Sequence, residues 1–328
     1  MWGWKPLITI GVLSLAGFLL FRTLSRYSLD ELGAAVAAVP GSRLFAAAGF
    51  ALASYVSLTG FDYLALHYVG RPLPYPKAAL ASFTSLSLGH NIGLAALSSG
   101  AIRYRFYTRW GLSPGQVAKM IVFCGVTVGL GLMVLGGAAL LLRTGLAEEI
   151  TGLAQPVITG LGIGCLAAPL LYLILAAVIR RPLVIRHWSV NMPPPWIAFG
   201  QIAVGSINFA FVAACLHQAL AAVTDVAYLG VASVYVIANA TALVSHVPGG
   251  LGVIESVVMH LLPQRDLIGA LLVFRFVYFL APLGFGCLLF LVTELVYRRR
   301  QKSRAATDGN EAQISSLSSE KPQRLEGL

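Results

Sequence analysis

The chain has 328 residues, 57% of them hydrophobic and 11% charged, and a formal net charge of +10. Soluble domains run at about 25% charged residues, so a water-facing surface over most of the chain is excluded. The basic residues sit in short loops beside apolar runs and in the C-terminal tail. That placement suits an anionic lipid surface and argues against nucleic acid as a partner.

Apolar runs fall at about 6–21, 44–66, 78–100, 117–142, 157–179, 196–220, 227–247, 249–262 and 267–297. A membrane helix needs about 20 such residues. The first run comes after Met1-Trp2-Gly3-Trp4-Lys5 and has the outline of a signal peptide. The next stretch, Arg22-Thr23-Leu24-Ser25-Arg26, lacks a small-x-small cleavage site, so the run is expected to stay as a membrane helix.

Two runs are abnormal. Residues 78–100 are rich in serine and glycine, with Gly89-His90-Asn91-Ile92-Gly93 near the middle and Ser98-Ser99-Gly100 at the end. Residues 227–262 are interrupted by Pro248-Gly249-Gly250. Proline removes a helix donor, and glycine weakens the helix around it. Broken backbone at membrane depth is tolerated only where protein or a watery cavity satisfies it. If both runs are hairpins that enter and leave on one side, six full spans remain, with fifteen Lys and Arg residues inside and five outside. Eight simple crossings would put nine inside and eleven outside. The positive-inside rule favours the hairpins, with both termini cytoplasmic. Each hairpin carries a His-x-x-Gly element, at His90 and at His246, about half a chain apart. Broken segments at matching places in two halves suggest an inverted repeat around a central site.

Between and after the hairpins lie further signals. Arg103, Arg105 and Arg109 alternate with aromatic residues, either as ordinary inside charge or as a headgroup-docking surface. Ser113-Pro114-Gly115-Gln116 reads as a helix start. The pairs Gly125/Gly129 and Gly160/Gly164 have the spacing of close helix contacts. Cys124, Cys165, Cys215 and Cys287 stand alone in apolar runs and read as packing residues. From Arg298 the chain turns polar, so residues 1–297 are read as a transmembrane domain and 298–328 as a disordered basic cytoplasmic tail.

Glu255 and Arg275 are the charged candidates. Each lies about ten residues from a turn near 263–266, or roughly 15 Å at the helical rise, so the two could meet. They form either a packing ion pair or one that opens for a headgroup or proton. The amides freed after Gly249 and Gly250 form either a phosphate seat or a simple kink. His90 and His246 are either hydrogen-bonded structural residues or part of the route. Asp62 is expected to pair locally or reach the interface.

The two hairpins resemble the transmembrane domain of the lysylphosphatidylglycerol synthase/flippase family. Ser87-Leu88-Gly89-His90-Asn91-Ile92-Gly93, running to Ser98-Ser99-Gly100-Ala101-Ile102-Arg103-Tyr104-Arg105, is similar to its first motif. Ser245-His246-Val247-Pro248-Gly249-Gly250-Leu251-Gly252-Val253-Ile254-Glu255 is similar to its second, Pro-Gly-Gly-x-Gly-x-x-Glu. The resemblance covers roughly residues 5–300. It implies a bacterial inner-membrane protein, and in the full-length family this domain moves aminoacylated phosphatidylglycerol between leaflets. The apolar runs themselves predict an all-α, polytopic helical bundle, expected to translocate aminoacylated or anionic phospholipid, with no convincing acid/base pair for catalysis and no cofactor. The family's full-length members carry an aminoacyltransferase domain, and the roughly 30 polar residues after Arg298 are too few for one. Membrane phospholipid is therefore the expected partner, with a homo-oligomer and a separately encoded aminoacyltransferase as further candidates. An intramembrane lipid-modifying transferase and a membrane partner of a synthase are the alternative functions. No nucleotide-binding motif occurs, so energy for transport would come from a gradient or another protein.

Overall fold

The computed structural model describes residues 29–92, 95–179, 183–185, 188–245, 247–262, 267–297 and 299. The helix expected at 6–21 and, apart from Arg299, the tail from 298 lie outside them, as do Gly93 and His246. Packing divides the chain into two compact units, Met1–Gly286 and Cys287–Leu328.

The fold is an all-α polytopic membrane bundle. Its elements are α1 (Leu29–Ala38), α2 (Gly41–Tyr68), α3 (Tyr75–Ile92), α4 (Ala95–Arg109), α5 (Pro114–Leu142), α6 (Thr144–Thr151), α7 (Gln155–Val178), α8 (Pro195–Leu220), α9 (Tyr228–Ser245), α10 (Val253–Leu261) and α11 (Leu267–Arg275). A two-stranded hairpin of β1 (Leu183–Ile185) and β2 (Trp188–Val190) joins α7 to α8. Among the described residues six helices are long and apolar enough to cross a membrane: α2, α5, α7, α8, α9 and the run Leu267–Tyr297. Their outer faces stay apolar, as lipid requires. On α7, Leu161, Ile163, Leu170 and Leu171 are all exposed. The Ser113 cap forms as expected, with Gln116 N–H donating to Ser113 Oγ at 3.3 Å and Ser113 N–H donating to Gln116 Oε1 at 2.9 Å.

Helices α2 and α8 form an antiparallel spine. Arg43 donates to Gln218 at one end, Ser54 to Asn208 midway, and a Cβ on Gly200 would meet Leu64 near the other end. The Gly41 end of α2 defines the near end of the bundle and the Tyr68 end the far end. Helix α3 comes after α2 at the far end, and α5 starts there too, since Gln116 Nε2 donates to the carbonyl of Val69. The segment between them, α3 and α4, therefore enters and leaves at the far end. Helix α9 starts where α8 finishes, at the near end. Helix α11 also starts there, with Gly269 against Ala35 of α1. So α9 and α10 enter and leave at the near end. Helix α9 is long enough to span, but the chain beyond it turns at Pro248–Gly250 and comes back. Eight simple crossings are ruled out, and the two hairpins enter from opposite ends.

The glycine pairs need correction. A Cβ on Gly125, Gly129, Gly160 or Gly164 would meet nothing within 4 Å. The close contacts use other glycines: a Cβ on Gly131 would overlap the Gly205 backbone, and one on Gly205 would lie 2.6 Å from the carbonyl oxygen of Thr127. Spacing alone does not say which face turns inward when a helix is apolar all round. Replacing Gly205 by Val should force α5 and α8 apart and cost about 1–3 kcal/mol or more. Gly129→Val should leave the thermal midpoint of the detergent-purified protein within error. Equal shifts in the two variants would contradict the assigned helix contact.

Candidate functional site at the meeting of two hairpins

The turn of the second hairpin is built from backbone that only glycine adopts readily. Gly249, Gly250 and Gly252 have φ of 61°, 58° and 82°, in the left-handed region. This coil leaves the carbonyls of Gly249 and Gly250 outside any regular helix. Unpaired carbonyls in hydrocarbon cost several kcal/mol each. Arg275 answers both: Nη1 donates to Gly249 O at 2.8 Å and Nη2 to Gly250 O at 2.9 Å. The same guanidinium forks onto Glu255, with Nε donating to Oε1 and Nη2 to Oε2 at 2.8 Å. Glu255 Oε2 also accepts from the Gly252 N–H at 2.9 Å, which caps the start of α10. Arg275 is 4% exposed and lies over the ring of Phe279.

Directly after Arg275 the helix widens into a π turn, Phe276–Leu280. Such single π turns inside α-helices are rare and occur frequently at functional sites. Asn91 Nδ2 reaches toward the Phe279 carbonyl of this turn at 3.4 Å and donates to Ser87 O at 2.9 Å. Tyr278 of the same turn joins Ser54 and Asn208 in a buried polar chain, Tyr278 Oη to Ser54 Oγ at 2.9 Å and Ser54 Oγ to Asn208 Oδ1 at 2.7 Å.

The first hairpin is held by a second buried pair. Arg103 of α4 donates through Nε and Nη2 to Asp62 of α2, at 2.7–3.1 Å, and through Nη1 to Ser99 Oγ at 3.1 Å. Tyr107 Oη donates to Asp62 Oδ2 at 2.7 Å. Asp62 and Tyr107 are wholly buried. Helices α3 and α4 meet at Gly89, where a Cβ would come within 2.7 Å of Ser99 Cβ, and Ser98 Oγ donates to Gly89 O at 3.2 Å.

The turn of the second hairpin touches the last turn of α3. A Cβ on Gly249 would lie 3.6 Å from the carbonyl oxygen of His90 and 3.8 Å from Asn91 Cα. The structure thus brings His90, Asn91, Gly249, Gly250, Glu255 and Arg275 together, with Pro248 and Gly252 in the same turn. Ser245 lies at the end of α9, its hydroxyl bonded to Ala242 O. Gly100 packs against Ile121 on α5. Arg105 and Arg109 are half-buried on α4 toward the far end. Arg103, read from the sequence either as ordinary inside charge or as part of a headgroup-docking surface, is instead 3% exposed and engaged by Asp62. Asp62, Tyr107 and Phe279 are not among the site residues that the sequence points to. For Asp62 the available signal is an acid standing alone in the 44–66 run. Among the described residues no three His, Cys, Asp or Glu side chains gather as a metal site.

No family model matches the chain. It is 30% identical over 292 residues to the uncharacterized protein slr0712 of Synechocystis sp., covering 88% of this chain and 91% of that one. The chain belongs to that protein's family. Inner membrane protein YbhN of Escherichia coli is 28% identical over 273 residues, 80% of this chain and 84% of its own. Together with the apolar helices, these relatives make it a bacterial integral membrane family.

Removing Glu255 alone would strand the Arg275 charge in a dry interior. Glu255→Ala should destabilise the protein by about 3–5 kcal/mol. The double variant Glu255→Ala/Arg275→Met should recover part of that loss. Thermal unfolding in detergent of the wild type, Glu255→Ala, Arg275→Met and the double variant checks it, and additive losses would mean the pair is not coupled in the folded chain.

Proposed function

We propose that the chain is a translocator that passes anionic or aminoacylated phospholipid headgroups across the bacterial inner membrane. The observation that carries this reading is the contact of two hairpins from opposite ends at His90 and Gly249, beside a guanidinium that already holds oxygen ligands. A headgroup crossing hydrocarbon has to exchange its water for fixed polar partners. Arginine's planar fork accepts a carboxylate or a phosphate in the same bidentate geometry. A lipid phosphate can therefore take the place of Glu255 on Arg275. The displaced carboxylate keeps the Gly252 N–H as a partner. When the phosphate leaves, Glu255 returns and the turn closes.

The far end carries Arg71, Lys77, Arg105, Arg109 and Lys119. By the positive-inside rule that end faces the cytoplasm, so the first hairpin opens to the inner leaflet and the second to the outer, with both termini cytoplasmic. The likeness of both hairpin motifs to the lysylphosphatidylglycerol synthase/flippase domain supports lipid as cargo. The name of the relative YbhN, an inner membrane protein, supports the location. On this reading no bond of the lipid is made or broken.

Reconstitution into liposomes with fluorescent phosphatidylglycerol, its lysyl ester and phosphatidylcholine tests the proposal, with leaflet location read by quencher access. The wild-type chain should move the anionic or aminoacylated lipid. Arg275→Lys keeps the charge but loses the fork, and should be slower by about tenfold or more. Its thermal midpoint, measured alongside, separates slow transport from unfolding. Equal rates in folded wild type and variant, or a new covalent lipid species in the mass spectrum, would overturn the translocator reading.

A further inference from the structure

A cleft of about 220 Å³ lies toward the far end, away from the contact of the two hairpins. Tyr68 at the end of α2, Tyr172 of α7 and Gln201 of α8 form its walls, with Lys119, Val122 and Val126 on α5. Its polar groups are largely satisfied within the protein. Tyr172 Oη donates to Gln201 Oε1, Gln201 Nε2 donates to Phe123 O and Thr127 Oγ1, and Tyr68 Oη donates to Asn191 O. The interior therefore offers hydrocarbon contact with little left to bind a polar ligand. Val122 and Val126 are 61% and 40% exposed, so α5 forms an open apolar lip in the zone that faces lipid tails. Lys119 stands exposed one turn before Phe123, close to the start of α5, and no ion pair to it is formed among the described residues. A second hollow of about 360 Å³ shares Asn191, Met192 and Pro193 with the first and lies between the end of α7 and the start of α8.

We infer that this cleft binds one anionic phospholipid, with an acyl chain along Val122 and Val126, the phosphate on Lys119, and the headgroup over the Asn191–Pro193 hollow. Charge and apolar wall select the ligand together. A free phosphate would use Lys119 and leave the apolar walls in contact with nothing. A neutral hydrocarbon would use the walls and leave the ammonium unmatched. A diacyl phosphate ester matches both, because its tails and its charge are separated along the membrane normal as the cleft separates Val126 from Lys119. This lipid is distinct from transported cargo: it resides on the flank of the bundle, not between the hairpins.

Native mass spectrometry of the whole chain, released from nanodiscs containing equal phosphatidylglycerol and phosphatidylcholine, tests it. One phosphatidylglycerol should be retained preferentially. Lys119→Gln should lower that retention about fivefold, as expected for one basic contact, and leave phosphatidylcholine unchanged. Val126→Trp fills the cleft and should lower retention of both lipids. Met133→Trp, at another exposed position on α5 (42% exposed), should change neither. Retention indifferent to Lys119→Gln, Val126→Trp behaving as Met133→Trp, or displacement of the lipid by inorganic phosphate alone would overturn the assignment.

Discussion

Hydrocarbon offers no hydrogen bonds, so a helix that breaks inside a membrane must find its missing partners in the protein. In this chain that requirement falls on Arg275. Its guanidinium spans the carbonyls of Gly249 and Gly250 and the carboxylate of Glu255, and one side chain thereby satisfies two backbone acceptors and a buried acid. The left-handed glycines make the turn feasible, and the arginine makes it tolerable in a dry interior. The π turn beyond Arg275 opens the helix where Asn91 of the other hairpin approaches. Local backbone, packing and the candidate site are thus one problem with one solution.

The first hairpin meets the same requirement with its charges placed differently. Arg103 lies within the hairpin and its partner Asp62 on a neighbouring long helix, whereas Glu255 lies within the second hairpin and Arg275 on the helix after it. Both arginines bind bidentately, both pairs are almost wholly buried, and each ties a short broken element to a long one. Charge pairs of this kind rarely add net stability over a well-packed apolar substitute. Their retention makes sense if the oxygen ligands are exchangeable. A phosphate that competes with a carboxylate for the fork shifts the balance only by its difference in affinity for the two arrangements. On the proposed translocator reading, the opposite entry of the hairpins would let loosening of one junction open a path from one side, and loosening of the other a path from the other.

Much of this was legible in the sequence because the relevant signals are local. Pro248-Gly249-Gly250 marks a break wherever it falls, and the helical rise alone set Glu255 and Arg275 at equal depth. Loop charge separated hairpins from simple crossings, and the packing of Gln116 on Val69 and of Gly269 on Ala35 agrees. The features that stayed hidden depend on partners distant in sequence. Arg103 reads as one of a basic cluster until Asp62, forty-one residues earlier, is seen to hold it. The glycines that pack, Gly131 and Gly205, look no different from Gly125 and Gly129, because a helix apolar on every side carries no mark of its inner face.

Lipid passage by this route requires the Gly249 turn and the end of α3 to touch at rest and to separate as the headgroup moves. Gly249 and Asn91 are near enough for cysteines placed there, in a chain whose four native cysteines are replaced, to approach disulfide distance. Lipid movement in liposomes would be measured before oxidation, after it, and after reduction of the same sample. The bond should form in the membrane, halt movement, and release it again on reduction. With the thermal midpoint showing that the double-cysteine chain still folds, an oxidised protein that moves lipid as fast as the reduced one would contradict the proposed route.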